Sequence, residues 1–191
     1  PMYCSANNNT CQDASKTLRL GDYGLDDLFY KYGVDFFFVG HVHNYERMYD
    51  IYNGTTTQST NNMSATTYIL SGNGGNCEYI GKFNEAKPVW SAYRGEIYGF
   101  TEFEVYNDTH INLKQMAVYE NGTSGIVDQT WYEQYKHGPF QLNYPNRMDH
   151  IVEYGSDDKV VYGPDYSYDN ENIKSQECPI QFHEYFMSQN A

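Results

Sequence analysis

The chain has 191 residues, enough for one domain of ordinary size with a real core. Its formal net charge of -13 argues against nucleic acid or an anionic membrane as partner, and leaves any phosphate binding to local cations, metals or helix N-termini. Aromatic residues make up 17% of the sequence, with 21 tyrosines, which favours strands and packed aromatic surfaces over a helical bundle.

In chain order, residues 1–23 read as an irregular loop. "PMYCSANNNTC" is neither a targeting sequence nor a gene start with an initiator methionine, so the beginning reads as a cut boundary. "GLDDLFYKYG" predicts a helix with Leu25, Leu28, Phe29 and Tyr32 on one apolar face. Asp26 and Asp27 suit its first turn, Lys31 its last, and Gly33 stops it; Asp22 is the expected N-cap. "VDFFFV" (Val34 to Val39) lacks polar alternation and predicts a strand buried on both faces. "RMYDIY" predicts another strand, "NGTTTQSTNNMS" an exposed polar loop, and "TTYILSG" a strand running into the Gly/Asn loop "GNGGN".

"YGFTEFEVYNDTHINLKQMAVYENGT" predicts a hairpin, with Phe103 and Val105 alternating on one arm, Ile111 and Leu113 on the other, and a turn at Asn107-Asp108. "GIVDQTWYEQYKHG" gives a last strand. Residues 139–191 are acidic, Tyr-rich and short of aliphatics. They read as a C-terminal extension that wraps the domain or makes homo-oligomer or assembly contacts, with disorder as the alternative that the tyrosines argue against. No apolar run approaches the ~18 residues a membrane helix needs.

Five N-x-S/T sequons, at Asn8, Asn53, Asn62, Asn107 and Asn121, point to a secreted, extracellular or lysosomal glycoprotein. In that setting the four cysteines imply disulfides. Three pairings are open; the short loop favours Cys4 with Cys11, which leaves Cys77 with Cys178.

The chemistry concentrates in "GHVHNYER". His41 and His43 form an H-x-H pair just past the carboxyl end of the predicted buried strand, where α/β proteins build sites. On an extended segment, alternate residues point the same way, so two imidazoles can converge on one metal such as zinc, iron or copper. Gly40 is expected to let the backbone approach closely.

This stretch resembles the last metal-ligand motif of purple acid phosphatases, within the calcineurin-like metallophosphoesterases. "PMYCS", "YGLDDLFYKYGVD", "ILSGNGGN", "WSAYRGEIYGF" and "VDQTWYEQYKHG" are similar to family segments in the same order, so residues 1–138 carry the resemblance. The animal and protist acid phosphatase-like branch is the nearest in flavour. The resemblance implies an α/β (α+β) fold, the second half of a two-sheet sandwich flanked by helices. It also implies a dinuclear centre of Fe(III) with a divalent Fe, Zn or Mn, and hydrolysis of phosphate monoesters at acid pH. His41 would bind the divalent ion and His43 the iron.

The family's upstream D-x-G, G-D-x-x-Y, G-N-H and V-x-x-H ligands have no counterpart in order here. The implied partner is therefore an upstream half carrying them, and this chain alone is expected to be inactive. The alternative is a non-catalytic structural or assembly glycoprotein on the same fold.

Asn44, Tyr45, Glu46 and Arg47 follow the histidines and read as lying behind the ligands or on the substrate side. Glu46–Arg47 reads chiefly as an ion pair supporting the loop. Asn73 and Asn76 are candidates for the site mouth or for simple turn chemistry. Arg94 reads as a structural salt bridge before a phosphate contact, and His110 and His137 as surface residues. No role is assigned to His150 or His183.

Overall fold

A computed structural model describes residues 1–7, 11, 18–19, 24–75 and 78–140. Helix α1 spans Asp26–Tyr32, and the strands are β1 (Phe36–Val39), β2 (Tyr45–Tyr52), β3 (Thr55–Thr56), β4 (Thr66–Ser71), β5 (Ser91–Gly95), β6 (Gly99–Val105), β7 (His110–Val118) and β8 (Ser124–Glu133). One sheet runs in the order β1-β4-β2-β3, with β5 paired to β2, and the other is the β6-β7-β8 meander. This is the strand-rich α+β, two-sheet architecture that the sequence leads one to expect.

β1 pairs in parallel with β4, Phe36 opposite Thr67 through Val39 opposite Leu70, and β2 pairs antiparallel with β4 and β5. The phenylalanine run of β1 serves both of its faces because side chains alternate along a strand. Phe36 and Phe38 meet Phe103 of the second sheet edge-on, with ring centroids 5.3 and 4.8 Å apart, while Phe37 faces Phe29 at 5.2 Å and Tyr68 at 6.0 Å. Burial is nonetheless incomplete, with Phe38 45% exposed. Among the described residues β1 has a strand neighbour on one edge and none on the other, which leaves part of that run uncovered.

The helix is rotated from the expected face. Leu28 and Tyr32 are exposed, Asp26 and Tyr30 are buried, and Leu25 and Phe29 pack on the core. Polar satisfaction explains the rotation. Asp26 accepts hydrogen bonds from Tyr3 Oη (2.7 Å), Tyr68 Oη (3.0 Å) and the Asn53 N–H (3.0 Å), while burial pushes its carboxyl above the usual range. The N-cap is Leu25, with no side-chain cap, so Asp22 does not fill that role; it lies outside the described residues. Gly33 closes the helix at φ 68°, where its N–H and that of Val34 both reach Phe29 O.

The N-terminal segment is core rather than loose loop: Met2, Tyr3 and Ala6 are buried with Val42, Met48, Ile51, Tyr68 and Leu70. Cys4 and Cys11 are disulfide-bonded with Cα atoms 5.5 Å apart; Cys77 and Cys178 lie outside the described residues. The loop after β3 is more tightly held than expected. Asp50, fully buried, accepts hydrogen bonds from Thr56 Oγ1, the Thr57 N–H and the Ser64 N–H and Oγ. Of the C-terminal extension, residues 139–140 are described, and Phe140 is buried against Tyr30, Tyr52 and Ala65.

Candidate metal centre

β1 ends at Val39, and residues 40–44 bend across the carboxyl ends of β1 and β4. The segment is not the extended run expected of H-x-H. His41 is exposed at φ 76°, in the left-handed region that costs a side-chain-bearing residue on the order of 1 kcal/mol or more, and Val42 beneath it is 2% exposed. Burial of Val42 fixes the loop and leaves its two flanking histidines outside the core. Their presentation thus comes from a kinked loop and not from strand alternation.

Backbone hydrogen bonds from two other loops hold this kink. Gly72 N–H donates to Asn44 O at 3.0 Å, and Gly81 N–H donates to His43 O at 2.7 Å. The close approach expected at Gly40 occurs instead at Gly72. A Cβ on Gly72 would sit 2.0 Å from Val42 O, whereas one on Gly40 would have its nearest neighbours at 3.9 Å. His43 is half-buried; its Nδ1 lies 3.5 Å from Glu78 Oε2, and its ring is 5.6 Å from that of Tyr79. Nothing in the sequence singled out Glu78, since an acidic residue after a glycine loop carries no spacing signal.

The residues after the histidines separate by strand face. Glu46 and Arg47 do not pair, because adjacent residues of β2 point to opposite sides. Glu46 is fully buried and accepts hydrogen bonds from Ser5 N–H (2.9 Å), Ser5 Oγ and Ser91 Oγ (2.6 Å). Arg47 crosses to the second sheet, binding Asp128 through Nε at 2.6 Å and Nη2 at 2.9 Å, while Tyr45 Oη donates to the same carboxylate at 2.9 Å. Burial works against the Arg47 charge, but the bonds to Asp128 outweigh it and hold the guanidinium above its ordinary range. Asn44 is fully buried, and neither end of its side-chain amide has a partner among the described residues.

Asn73 does not line an open mouth. It is fully buried and donates to Ile97 O at 2.7 Å; Asn76 lies outside the described residues. Arg94 forms the expected structural salt bridge, its Nε 3.8 Å from Glu46 Oε1, and it donates to Asn84 O and Ala86 O at 2.9 and 2.8 Å and lies over the Phe83 ring. His110 contacts Thr109 Oγ1 at 2.8 Å, and His150 and His183 lie outside the described residues. Of the sequons, Asn53, Asn107 and Asn121 are exposed. Asn62 is half-buried, its Oδ1 accepting from Tyr135 N–H at 3.1 Å and its Nδ2 donating to Asn61 at 2.9 Å. Asn8 lies outside the described residues.

A family model described as iron/zinc purple acid phosphatase-like protein C matches residues 65–129. Human acid phosphatase type 7 is 37% identical over 141 residues, 69% of this chain and 32% of that protein. The zebrafish protein of the same name is 34% identical over 152 residues, 73% of this chain and 34% of its own length. A solved purple acid phosphatase from yellow lupin (Lupinus luteus) seeds superposes with a TM-score of 0.57 at 27% identity, covering 69% of this chain and 23% of the lupin chain. The chain belongs to the purple acid phosphatase family. It matches the C-terminal half of that catalytic domain and spans about a third of the curated relatives' length.

Purple acid phosphatases generally use iron with a divalent metal. The donor chemistry here fits part of such a centre: two imidazoles, one exposed and one half-buried, presented on a braced loop. Among the described residues there is no group of three or more His, Cys, Asp or Glu side chains that could hold a metal ion.

Proposed function

We propose that this chain forms the C-terminal part of a purple acid phosphatase that hydrolyses phosphate monoesters, and that His41 and His43 are its last two metal ligands. The metals would be Fe(III) and a divalent Fe, Zn or Mn. The remaining ligands would come from an upstream half with D-x-G, G-D-x-x-Y, G-N-H and V-x-x-H. When bound, such a pair of metals polarises a phosphoryl oxygen and supplies a nucleophile at mild pH. The chain's own residues position and support. His41 and His43 present imidazoles, and the Gly72 and Gly81 N–H groups fix the loop that carries them. Glu46, Arg47 and Asp128 anchor β2 below it.

The observation that carries this reading is the braced histidine loop at the carboxyl end of a parallel strand pair, in a chain related to acid phosphatases. The five sequons and the disulfide support a secreted or lysosomal glycoprotein, with Cys77–Cys178 as its second bridge. With two imidazoles alone the centre is incomplete, so this chain by itself is inactive.

The test is p-nitrophenyl phosphate hydrolysis and bound-metal analysis. In the parent protein, His41→Ala and His43→Ala should each lower bound metal and reduce kcat by at least about 100-fold, in line with the loss of one electrostatic element of a catalytic site. The 191-residue chain soaked with Fe(III) and Zn(II) should show no metal-dependent turnover. Turnover by the chain alone overturns its incompleteness. Unchanged metal content in both variants overturns the ligand assignment.

A further inference from the structure

Far from the histidine loop, at the opposite end of β1, the chain leaves β8 and crosses the start of β1. Residues 134–140 form no strand, and side-chain pegs hold them in place. Gln134 is 5% exposed, and its Nε2 reaches Asp35 Oδ1 and Met63 O, each at 3.3 Å. Gly138 lies so close to Gly33 that a Cβ on Gly33 would stand 1.8 Å from Gly138 O. Phe140 is fully buried against Tyr30, Tyr52 and Ala65.

At the centre of this crossing His137 makes two bonds. Its Nδ1 is 2.9 Å from Asp35 Oδ2, and its Nε2 is 2.9 Å from Asp108 O in the β6–β7 turn. A carboxylate oxygen and a backbone carbonyl oxygen only accept, and a neutral imidazole carries one N–H. Filling both bonds at once requires both ring nitrogens to be protonated.

We propose that His137 is a proton-operated clasp: as an imidazolium it ties the post-β8 segment to the start of β1 and to the β6–β7 turn, and loss of one proton breaks one tie and loosens the segment between its Gln134 and Phe140 pegs. This device is independent of the phosphatase reading and stands or falls apart from it.

The surrounding charges act in known directions. Asp35, just before β1, faces Nδ1 and favours the cation, and Asp108, in the turn, adds negative charge nearby. His110, in the same cleft, opposes the cation when it is itself charged; Lys136 is the chain neighbour. The hydrogen bond to Asp35 is the largest influence, and the net result raises His137 above the ordinary 6.5. With the folded value raised, the clasp is fully formed below about pH 6.5 and is lost as pH climbs through the folded value.

The experiment has two arms on the full chain. The first reads the ring-nitrogen shifts of His137 by 15N NMR on the unsubstituted protein. Both nitrogens should be protonated at pH 6, and a single neutral tautomer there overturns the proposal. The second follows hydrogen exchange of residues 134–140 from pH 5.5 to 8.5, corrected for intrinsic chemistry. Corrected exchange should rise from about pH 6.5 up to the folded value, by at most about tenfold per pH unit, and level off above it, where the neutral form dominates.

Asp35→Asn supplies the control. Its amide N–H can donate to the Nδ1 of a neutral imidazole while its carbonyl still accepts from Gln134, so above about pH 6.5 the clasp should stay shut and the rise of exchange with pH vanish. A flat profile in the unsubstituted chain, or an unchanged slope in a folded Asp35→Asn variant, refutes the clasp. If that variant fails to fold, the ring-nitrogen measurement decides alone.

Discussion

Asp128 is 9% exposed and receives three hydrogen bonds, two from Arg47 and one from Tyr45. Removing it strands a guanidinium that is nearly out of solvent and leaves a buried phenol without its acceptor. Breaking one side of a buried pair costs roughly 3–5 kcal/mol, far more than a surface ion pair is worth. Asp128→Ala should therefore lower the unfolding free energy by about that amount in urea titrations; a loss under about 1 kcal/mol would mean that water reaches Arg47. At this scale the sequence was readable in motif and misleading in partner. His41 and His43 stood out by spacing and context. The expected Glu46–Arg47 pair failed on a rule available beforehand, since neighbours on a strand face opposite ways. The true partners, Ser5, Ser91 and Arg94 for Glu46 and Asp128 for Arg47, are distant in sequence and left no local trace.

Among the elements, β2 and β4 were legible from their β-branched and aromatic residues, and the β6–β7 hairpin because alternation and turn chemistry agree there. Asn107 Oδ1 accepts from the N–H groups of Thr109 and His110, each at 2.9 Å, which makes the turn the Asn-Asp pair announced. The face of α1 was not legible, because an aspartate buried by two tyrosines overrides an apolar stripe that counts hydrophobic side chains alone. Nor did spacing reveal which glycine carries the contact under the histidine loop. Gly72→Ala should force Val42 O and the loop away from β4, since 2.0 Å is far inside any real Cβ contact. In the parent protein this predicts loss of bound metal without any change of ligand. Calorimetry should show a destabilisation of about 1–3 kcal/mol, the usual cost of overpacking. Gly40→Ala, whose Cβ would meet its nearest neighbours only at 3.9 Å, an ordinary van der Waals contact, should leave metal content near the unsubstituted level.

Across the whole molecule, two sheets meet through aromatic rings, with Phe36 and Phe38 of the first set against Phe103 and Tyr132 of the second. A chain with 21 tyrosines announced such a core, but not its seam. The N-terminal segment, which looked irregular, is packed into it because Met2 and Tyr3 supply apolar surface and Ser5 supplies donors to Glu46. The Cys4–Cys11 bridge closes a short loop of sequence separation 7 at the edge of that packing. On chain-entropy grounds such a loop contributes about 2–3 kcal/mol. Reduction with the rest of the protein intact should lower stability by that amount in denaturant melts compared with and without reductant.

The Arg47–Asp128 tie also bears on how the chain folds. It joins positions 81 residues apart, across the boundary between the two sheets. So long a closure is favoured only after each sheet has formed, and contacts of large sequence separation slow folding and come late. Interactions absent from the transition state govern the escape rate from the native basin rather than the speed of arrival. Most of the free energy lost in Asp128→Ala should therefore surface as faster unfolding, with refolding nearly unchanged. The link between the sheets would act as a brake on opening: it sets how long the molecule stays native more than how quickly it becomes so.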